Sequence, residues 1–223
     1  MFSMKYYLPI ILIVISNSLF AQFNGVKRGD VLNINGVKGI VFSVNEDGNH
    51  GTIMSVKAFR GAENLYCSKG SIIKGINMSD TQDGKKNTCA VFEFSKVHHA
   101  PMSVFPVFKW CQSLGEGWYI PSVEQLKQFV NYWLGNYVEE EDWDEESEVD
   151  EQPEGFSHKK EVNRILLDAG GIPFLNGVFT STKDKKGKVY VFQYDKEKDF
   201  WEFECLNPMK IDKGCVGRAF YDF

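Results

Sequence analysis

Between Pro106 and Leu126 (PVFKWCQSLGEGWYIPSVEQL) the hydrophobic pattern changes period twice. Val107, Trp110, Cys111 and Leu114 recur at helical spacing. Ser103 can open that helix, and Gly115 supplies a left-handed stop. Trp118 to Pro121 then reads as one aromatic strand. Ser122 stands three residues before Gln125, a capping box, and Leu126, Phe129, Val130 and Trp133 continue as the apolar stripe of a second helix.

The flanks read differently. Gly29 to Phe59 is β in character: Val31 to Ile34 runs into Asn35-Gly36, a two-residue hairpin turn. Gly39 to Val44 is a compact apolar strand, and Thr52 to Ala58 forms the next. Arg60 to Asn87 has weak periodicity and reads as loop, with Asp83-Gly84 as a turn, and Thr88 to Phe94 as a short strand. Ser157 can cap a third helix with Val162, Ile165, Leu166 and Ala169 on one face, ended by Gly170-Gly171. Gly177–Thr182, Val189–Tyr194, Phe200–Cys205 and Val216–Phe223 read as late strands, and Asp184 to Lys188 as a charged hairpin loop. Strands, two or three central helices, then strands again predict an α+β domain. Its first and last strands are expected to pair.

The N-terminus has the layout of an export signal: Lys5, an apolar run from Tyr6 to Ile15, and a small, polar exit ending at Ala21. The run is too short for the ~20 apolar residues of a spanning helix. No Cys follows the site, which argues against a lipid anchor. The expected organisation is therefore a signal peptide over 1–21 and a single domain over 22–223. Localisation is then periplasmic, cell-surface or secreted, with no membrane span after signal removal.

Charge is uneven. Removing Lys5 with the leader takes the formal charge from −5 to −6, yet Glu139 to Glu151 alone holds ten acidic residues and no basic one. The rest of the mature chain is thus +4, and the acidity is one insertion at 139–151. No basic stripe interleaved with aromatics appears, which argues against a nucleic-acid partner. Within the block, Asp142, Asp144, Glu146 and Glu148 fall at every second position, and oxygen ligands in alternation suit calcium. The block lacks the Gly of a sharp calcium loop, and ten like charges also read as a solvated excursion. The expectation is therefore no cofactor, with calcium at this block as the alternative. Trp143 within the block is either a contact for a sugar or protein, or an anchor onto the domain.

Five cysteines, Cys67, Cys89, Cys111, Cys205 and Cys215, leave at least one thiol without an internal partner, and no Cys-x-x-Cys pair exists. His98-His99 would point to opposite sides of an extended segment and does not suggest a shared metal. Ser181 lacks a Gly-x-Ser-x-Gly elbow.

From Trp110-Cys111 through Trp118-Tyr119-Ile120-Pro121-Ser122 to Glu124-Gln125-Leu126 the chain resembles the C-type-lectin-like superfamily. It is most similar to a secreted bacterial branch without assigned function, related to formylglycine-generating enzymes. Gly29-Asp30-Val31 with Gly39-Ile40-Val41-Phe42 resembles the branch's first hairpin. Gly177-Val178-Phe179-Thr180-Ser181-Thr182 and Gly217-Arg218-Ala219-Phe220 resemble its late strands. The resemblance implies a compact mixed domain whose loops present a ligand site. It also implies a bridge from the first helix to the last strand, Cys111 to Cys215. The alternative is that all five thiols are buried and reduced. Gln152-Pro153-Glu154 departs from the calcium-lectin tripeptides, and Cys205 and Cys215 are too far apart for the copper pair of the oxidases.

The resulting expectation is a non-enzymatic exported module that binds a glycan or a cell-surface protein. Its candidate binding residues are Trp143, Glu154, Asn176, Thr180, Ser181 and Asp184. The alternatives are an enzyme of unknown chemistry on the oxidase side of the fold, with Cys205 or Cys215 beside a metal, and a structural subunit of an envelope assembly. The leader reading has a direct check. N-terminal sequencing of the exported protein is expected to begin at Gln22, and an intact Met1 would refute it.

Overall fold

A computed structural model describes residues 23–60, 66–68, 73–135, 154–174, 177–195, 200–208 and 215–223. Among these the chain forms four α-helices and seven strands in two antiparallel sheets, an α+β fold. The N-terminal strands are β1 (Val31–Ile34), β2 (Val37–Val44) and β3 (Gly51–Ser55). The helices are α1 (Gly84–Val97), α2 (Pro106–Ser113), α3 (Val123–Leu134) and α4 (Glu154–Asp168). The late strands are β4 (Val178–Lys183), β5 (Val189–Asp195), β6 (Phe200–Leu206) and β7 (Phe220–Asp222).

The first hairpin forms at Asn35-Gly36, where φ is 52° and 89°, the left-handed pair that a two-residue turn requires. The buried run Gly39-Ile40-Val41-Phe42 has its physical reason in the two faces of the sheet. Ile40 and Phe42 pack into one hydrophobic cluster with Met54, Phe129 and Phe220, whereas Val41 and Ile53 pack into another with Phe108 and Phe179. A strand buried on both faces loses the alternation of a half-solvated one. The capping box is as expected: the Ser122 hydroxyl accepts from Gln125 N–H at 3.3 Å, and Gly135 closes α3 at φ 78°. Gly170 ends α4 at φ 88°, although that helix starts at Glu154, three residues before Ser157.

Three expectations are corrected. Thr88 to Phe94 is not a strand but the middle of α1, and Asp83-Gly84 is the start of that helix rather than an isolated turn. The Asp83 carboxylate caps it by accepting from Lys86 N–H at 2.8 Å. The buried face of α1 is Gly84, Asn87, Thr88 and Val91. These follow helical spacing, but only Val91 is strongly apolar and the other three are small or polar, so apolar periodicity marks little of this face. Second, the first and last strands do not pair. The sheet order is β1-β2-β3-β7, which puts β1 and β7 at opposite edges. Third, α2 begins at Pro106, after a 3₁₀ turn at Met102–Val104, and carries no side-chain cap from Ser103.

The C-terminal segment joins the two sheets. Val216 bridges Val178 of β4, Gly217 bridges Phe59, and Phe220 pairs with both Met54 of β3 and Tyr119. Arg218 lies within it and is fully buried. Its guanidinium donates to the carbonyls of Ser55 (2.9 Å), Val56 (2.6 Å), Ile172 (2.7 Å) and Pro173 (3.4 Å). Desolvation, with the nearby charge of Arg60, pushes its pKa down to about 9, still above neutral, so the side chain is a buried cation at pH 7. Its partners are backbone dipoles. Arg218→Met is therefore expected to destabilise the fold by about 3 kcal/mol or more, since two buried and two half-buried carbonyls lose a donor. Arg218→Lys should recover part of that loss. Urea denaturation of the three proteins checks this, and an unchanged midpoint for Arg218→Met would show that the guanidinium's desolvation cost cancels its hydrogen bonds.

Candidate functional site

The segment after residue 76 has few apolar residues, and its polar side chains build a pocket of about 320 Å³. Asn77, Ser79, Asp80, Thr81, Lys86 and Asn87 line it. Its size is at the small end of ligand pockets, which run from about 300 to 1,000 Å³. All six lining residues are polar, which disfavours an apolar ligand.

Asn87 forms the floor. It is 1 % exposed, and its amide locks the segment around it. Nδ2 donates to the Asp80 carbonyl at 2.6 Å and to the Ser181 and Thr182 hydroxyls at 3.4 and 3.5 Å. Oδ1 accepts from Asp80 N–H at 3.2 Å. The Thr182 hydroxyl donates to the same Asp80 carbonyl at 2.9 Å and accepts from Val123 N–H at 3.1 Å. Helix α1, strand β4 and the start of α3 therefore meet at one hydrogen-bonded point behind the pocket.

That point exists because α1 approaches the 119–122 segment very closely. The strand expected over Trp118–Pro121 is only an isolated bridge of Tyr119 to Phe220, because among the described residues that is the one bridge it makes with a neighbouring strand. A Cβ on Gly84 would collide with the Ile120 carbonyl and lie 2.6 Å from Gln125 Oε1. Gly84 N–H donates to that Oε1 at 2.9 Å, as does Ser122 N–H at 3.0 Å. Gln125 Nε2 in turn donates to the Tyr119 hydroxyl, which donates to Asp222 at 2.7 Å. The capping residue of α3 thus also ties down the N-terminus of α1 and the C-terminal strand.

At the mouth, the Asp80 carboxylate accepts from Lys86 Nζ at 3.0 Å and from the N–H groups of Gln82 and Asp83, both at 3.0 Å. The Ser79 hydroxyl donates to Asn77 Oδ1 at 3.0 Å. The Asn77 amide nitrogen and the Thr81 hydroxyl form no hydrogen bond with the described residues, so they are open to a ligand.

Thr180 and Ser181 lie behind this pocket rather than on a loop surface. Both are fully buried. Thr180 donates to the Tyr190 carbonyl at 2.9 Å and Ser181 to the Pro121 carbonyl at 3.1 Å, so both hydroxyls are held inside the fold. Asp184 sits in the β4–β5 hairpin loop and accepts from Lys186 and Lys188 N–H, each at 2.8 Å. Glu154 begins α4. Trp143, Asn176 and the calcium candidates Asp142, Asp144, Glu146 and Glu148 lie outside the described residues. Among the described residues no three His, Cys, Asp or Glu side chains gather as a metal-holding group. Cys111 and Cys215 are buried in the same hydrophobic cluster, but no disulfide joins them in this structure, and burial pushes the Cys111 thiol pKa well up.

The pocket residues themselves were missed. Asn77 to Asn87 lies in the stretch that reads as loop, where Asn, Ser, Asp and Thr are ordinary turn formers. The one available signal was Asp83 three residues before Lys86, on the N-terminal side of a helix disguised by its polar buried face. A second ligand-accessible feature lies at the far end of β5 and β6, where Tyr194, 40 % exposed, meets half-buried Trp201 at 5.6 Å between ring centres. Trp201 is wedged against Phe192 and Trp133 and serves as the outer edge of the core. Comparison with protein-family models, with curated proteins and with solved structures gives no match.

The geometry at Asp80 makes a pH-dependent prediction. The Lys86 hydrogen bond, followed by the two backbone N–H groups, lowers its pKa from the ordinary 3.8. A depressed carboxyl contributes its stabilisation above the unfolded value and loses it as pH falls through the folded one. The pocket mouth should therefore loosen only as pH falls below the ordinary carboxylate value. An NMR titration of the Asp80 carboxyl is expected to give a midpoint under 3.8 that moves up in Lys86→Ala. A midpoint at or above 3.8 in the unmodified protein would contradict the assigned hydrogen bonds.

Proposed function

We propose that this protein is an exported, non-enzymatic binding module of C-type-lectin-like fold that holds one sugar unit of a glycan in the Asn77–Asn87 pocket. The observation that carries the reading is the pocket's lining: amide, hydroxyl, carboxylate and ammonium groups around a rigid amide floor. A sugar ring offers donors and acceptors on every edge, and such a set answers both. The small concave volume also favours a glycan over a surface protein, because a protein interface needs about 800 Å² on each partner. The locked floor supports binding further, since ligands gain affinity when the site needs no ordering.

The test is a glycan array on the chain beginning at Gln22, followed by calorimetry with any retained oligosaccharide. Asn77→Ala combined with Thr81→Val removes the two open hydrogen-bonding groups, each worth about 1 kcal/mol. The double variant is expected to weaken binding about tenfold or more with an unchanged melting temperature, because both residues are exposed. No retained glycan, or binding indifferent to the two substitutions, would refute the reading.

A further inference from the structure

The pocket-forming segment has a lysine-rich corner at one end. The β4–β5 hairpin reads Lys183-Asp184-Lys185-Lys186-Gly187-Lys188. Lys183 N–H donates to the Met78 carbonyl at 2.8 Å, which attaches the hairpin to the segment between Asn77 and Ser79 of the pocket wall. Lys183 Nζ reaches the carbonyls of Ile73 and Lys74 at 3.0 and 3.1 Å, and the Lys74 side chain lies against Gly187. Two chain segments, over a hundred residues apart, thus bring five lysines together: Lys74, Lys183, Lys185, Lys186 and Lys188.

The acidic group of this corner is turned inward. Asp184 is bound to the backbone N–H groups of its own loop. None of the five lysines forms an ion pair among the described residues, and Lys74, Lys185, Lys186 and Lys188 are exposed. The lysine ion pairs among the described residues lie away from this corner, Lys86 with Asp80 at 3.0 Å and Lys127 with Glu124 at 2.8 Å. Unpaired like charges held in one corner repel one another unless an anion sits among them.

We infer that the glycan bound at the pocket is anionic, a chain carrying carboxylate or sulfate groups, and that the lysine corner holds the acidic groups of the units next to the one in the pocket. This rests on the glycan reading above. Lys74 stands three residues before Asn77, and Lys183 N–H holds the Met78 carbonyl, so the corner adjoins the pocket wall at that end. Contacts of this kind act at the rim of a site, so they set salt dependence and choice of ligand more than they set the pocket's own grip.

The probes are polygalacturonate, its methyl-esterified and therefore uncharged form, and polyglutamate as an anion without sugar. Binding to the chain beginning at Gln22 is measured by affinity electrophoresis at low and high salt. The expected result is tight binding of polygalacturonate, about tenfold tighter than either other polymer, and weakened by salt as charges are screened. Lys185→Glu with Lys186→Glu should reduce polygalacturonate binding about tenfold while leaving the esterified form unchanged. Both side chains are exposed, and an unchanged melting temperature confirms that the variant folds. Equal binding of polyglutamate, or indifference to the charge reversal, would overturn the inference. Binding of the esterified polymer that is lost in Asn77→Ala yet as tight as the acid form would overturn it too, and would leave the pocket reading intact. Binding of none of the sugar polymers would overturn the inference, and the array above then decides the pocket reading separately.

Discussion

A buried positive charge, whose partners among the described residues are all backbone carbonyls, ties the edge of one sheet to the segment after α4. Arg218 stands where the two sheets and the segment after α4 converge, and its guanidinium gathers four carbonyls from two separate stretches of chain. A planar cation with several donors suits that task, because backbone carbonyls at different angles can each take one N–H. An apolar side chain there would fill the volume and leave the carbonyls without donors. Around it the C-terminal segment runs in contact with both hydrophobic clusters, Cys215 and Ala219 in one, Val216 and Phe220 in the other.

The same economy of polar contacts builds the pocket. Asn87, Thr88, Ser181 and Thr182 are buried polar residues, each with a hydrogen-bond partner on a different element, and buried Ser122 caps α3 beside them. Such a network fixes α1 against β4 and the 119–122 segment within narrow limits, since any slip would strand a buried donor or acceptor. The outward side of that network is the pocket floor. Binding groups at the mouth are therefore carried by the most hydrogen-bonded part of the molecule, and a ligand meets a surface already in place.

Much of the fold was legible in the chain. The Asn35-Gly36 turn, the Ser122/Gln125 capping box and the Gly170 stop are local devices whose chemistry works within three or four residues. The late strands matched to within a residue or two, apart from the last, where strand geometry is confined to Phe220–Asp222. Helix α1 escaped because three of the four residues of its buried face are Gly84, Asn87 and Thr88, with Val91 the one strongly apolar member. Those three residues face inward for close approach and hydrogen bonding, so hydrophobic periodicity carries no trace of them. Thr180 and Ser181 were singled out from the sequence as surface contacts, and they proved to be the buried rear of a pocket formed by other residues.

The sequence by itself determined the class of the fold, the positions of most turns and caps, and the uneven charge. Each of these depends on neighbours along the chain. It left the pairing of β3 with β7, the buried cation and the pocket to the tertiary structure. Those depend on groups more than a hundred residues apart, Ser55 with Arg218 and Asp80 with Thr182, and a linear pattern holds no record of such distances. The lysine corner shows the same division. Four of its lysines lie within six residues of the hairpin, but their place beside the pocket is decided by long-range contacts, Lys183 with Met78, Ile73 and Lys74 and Thr182 with Asp80.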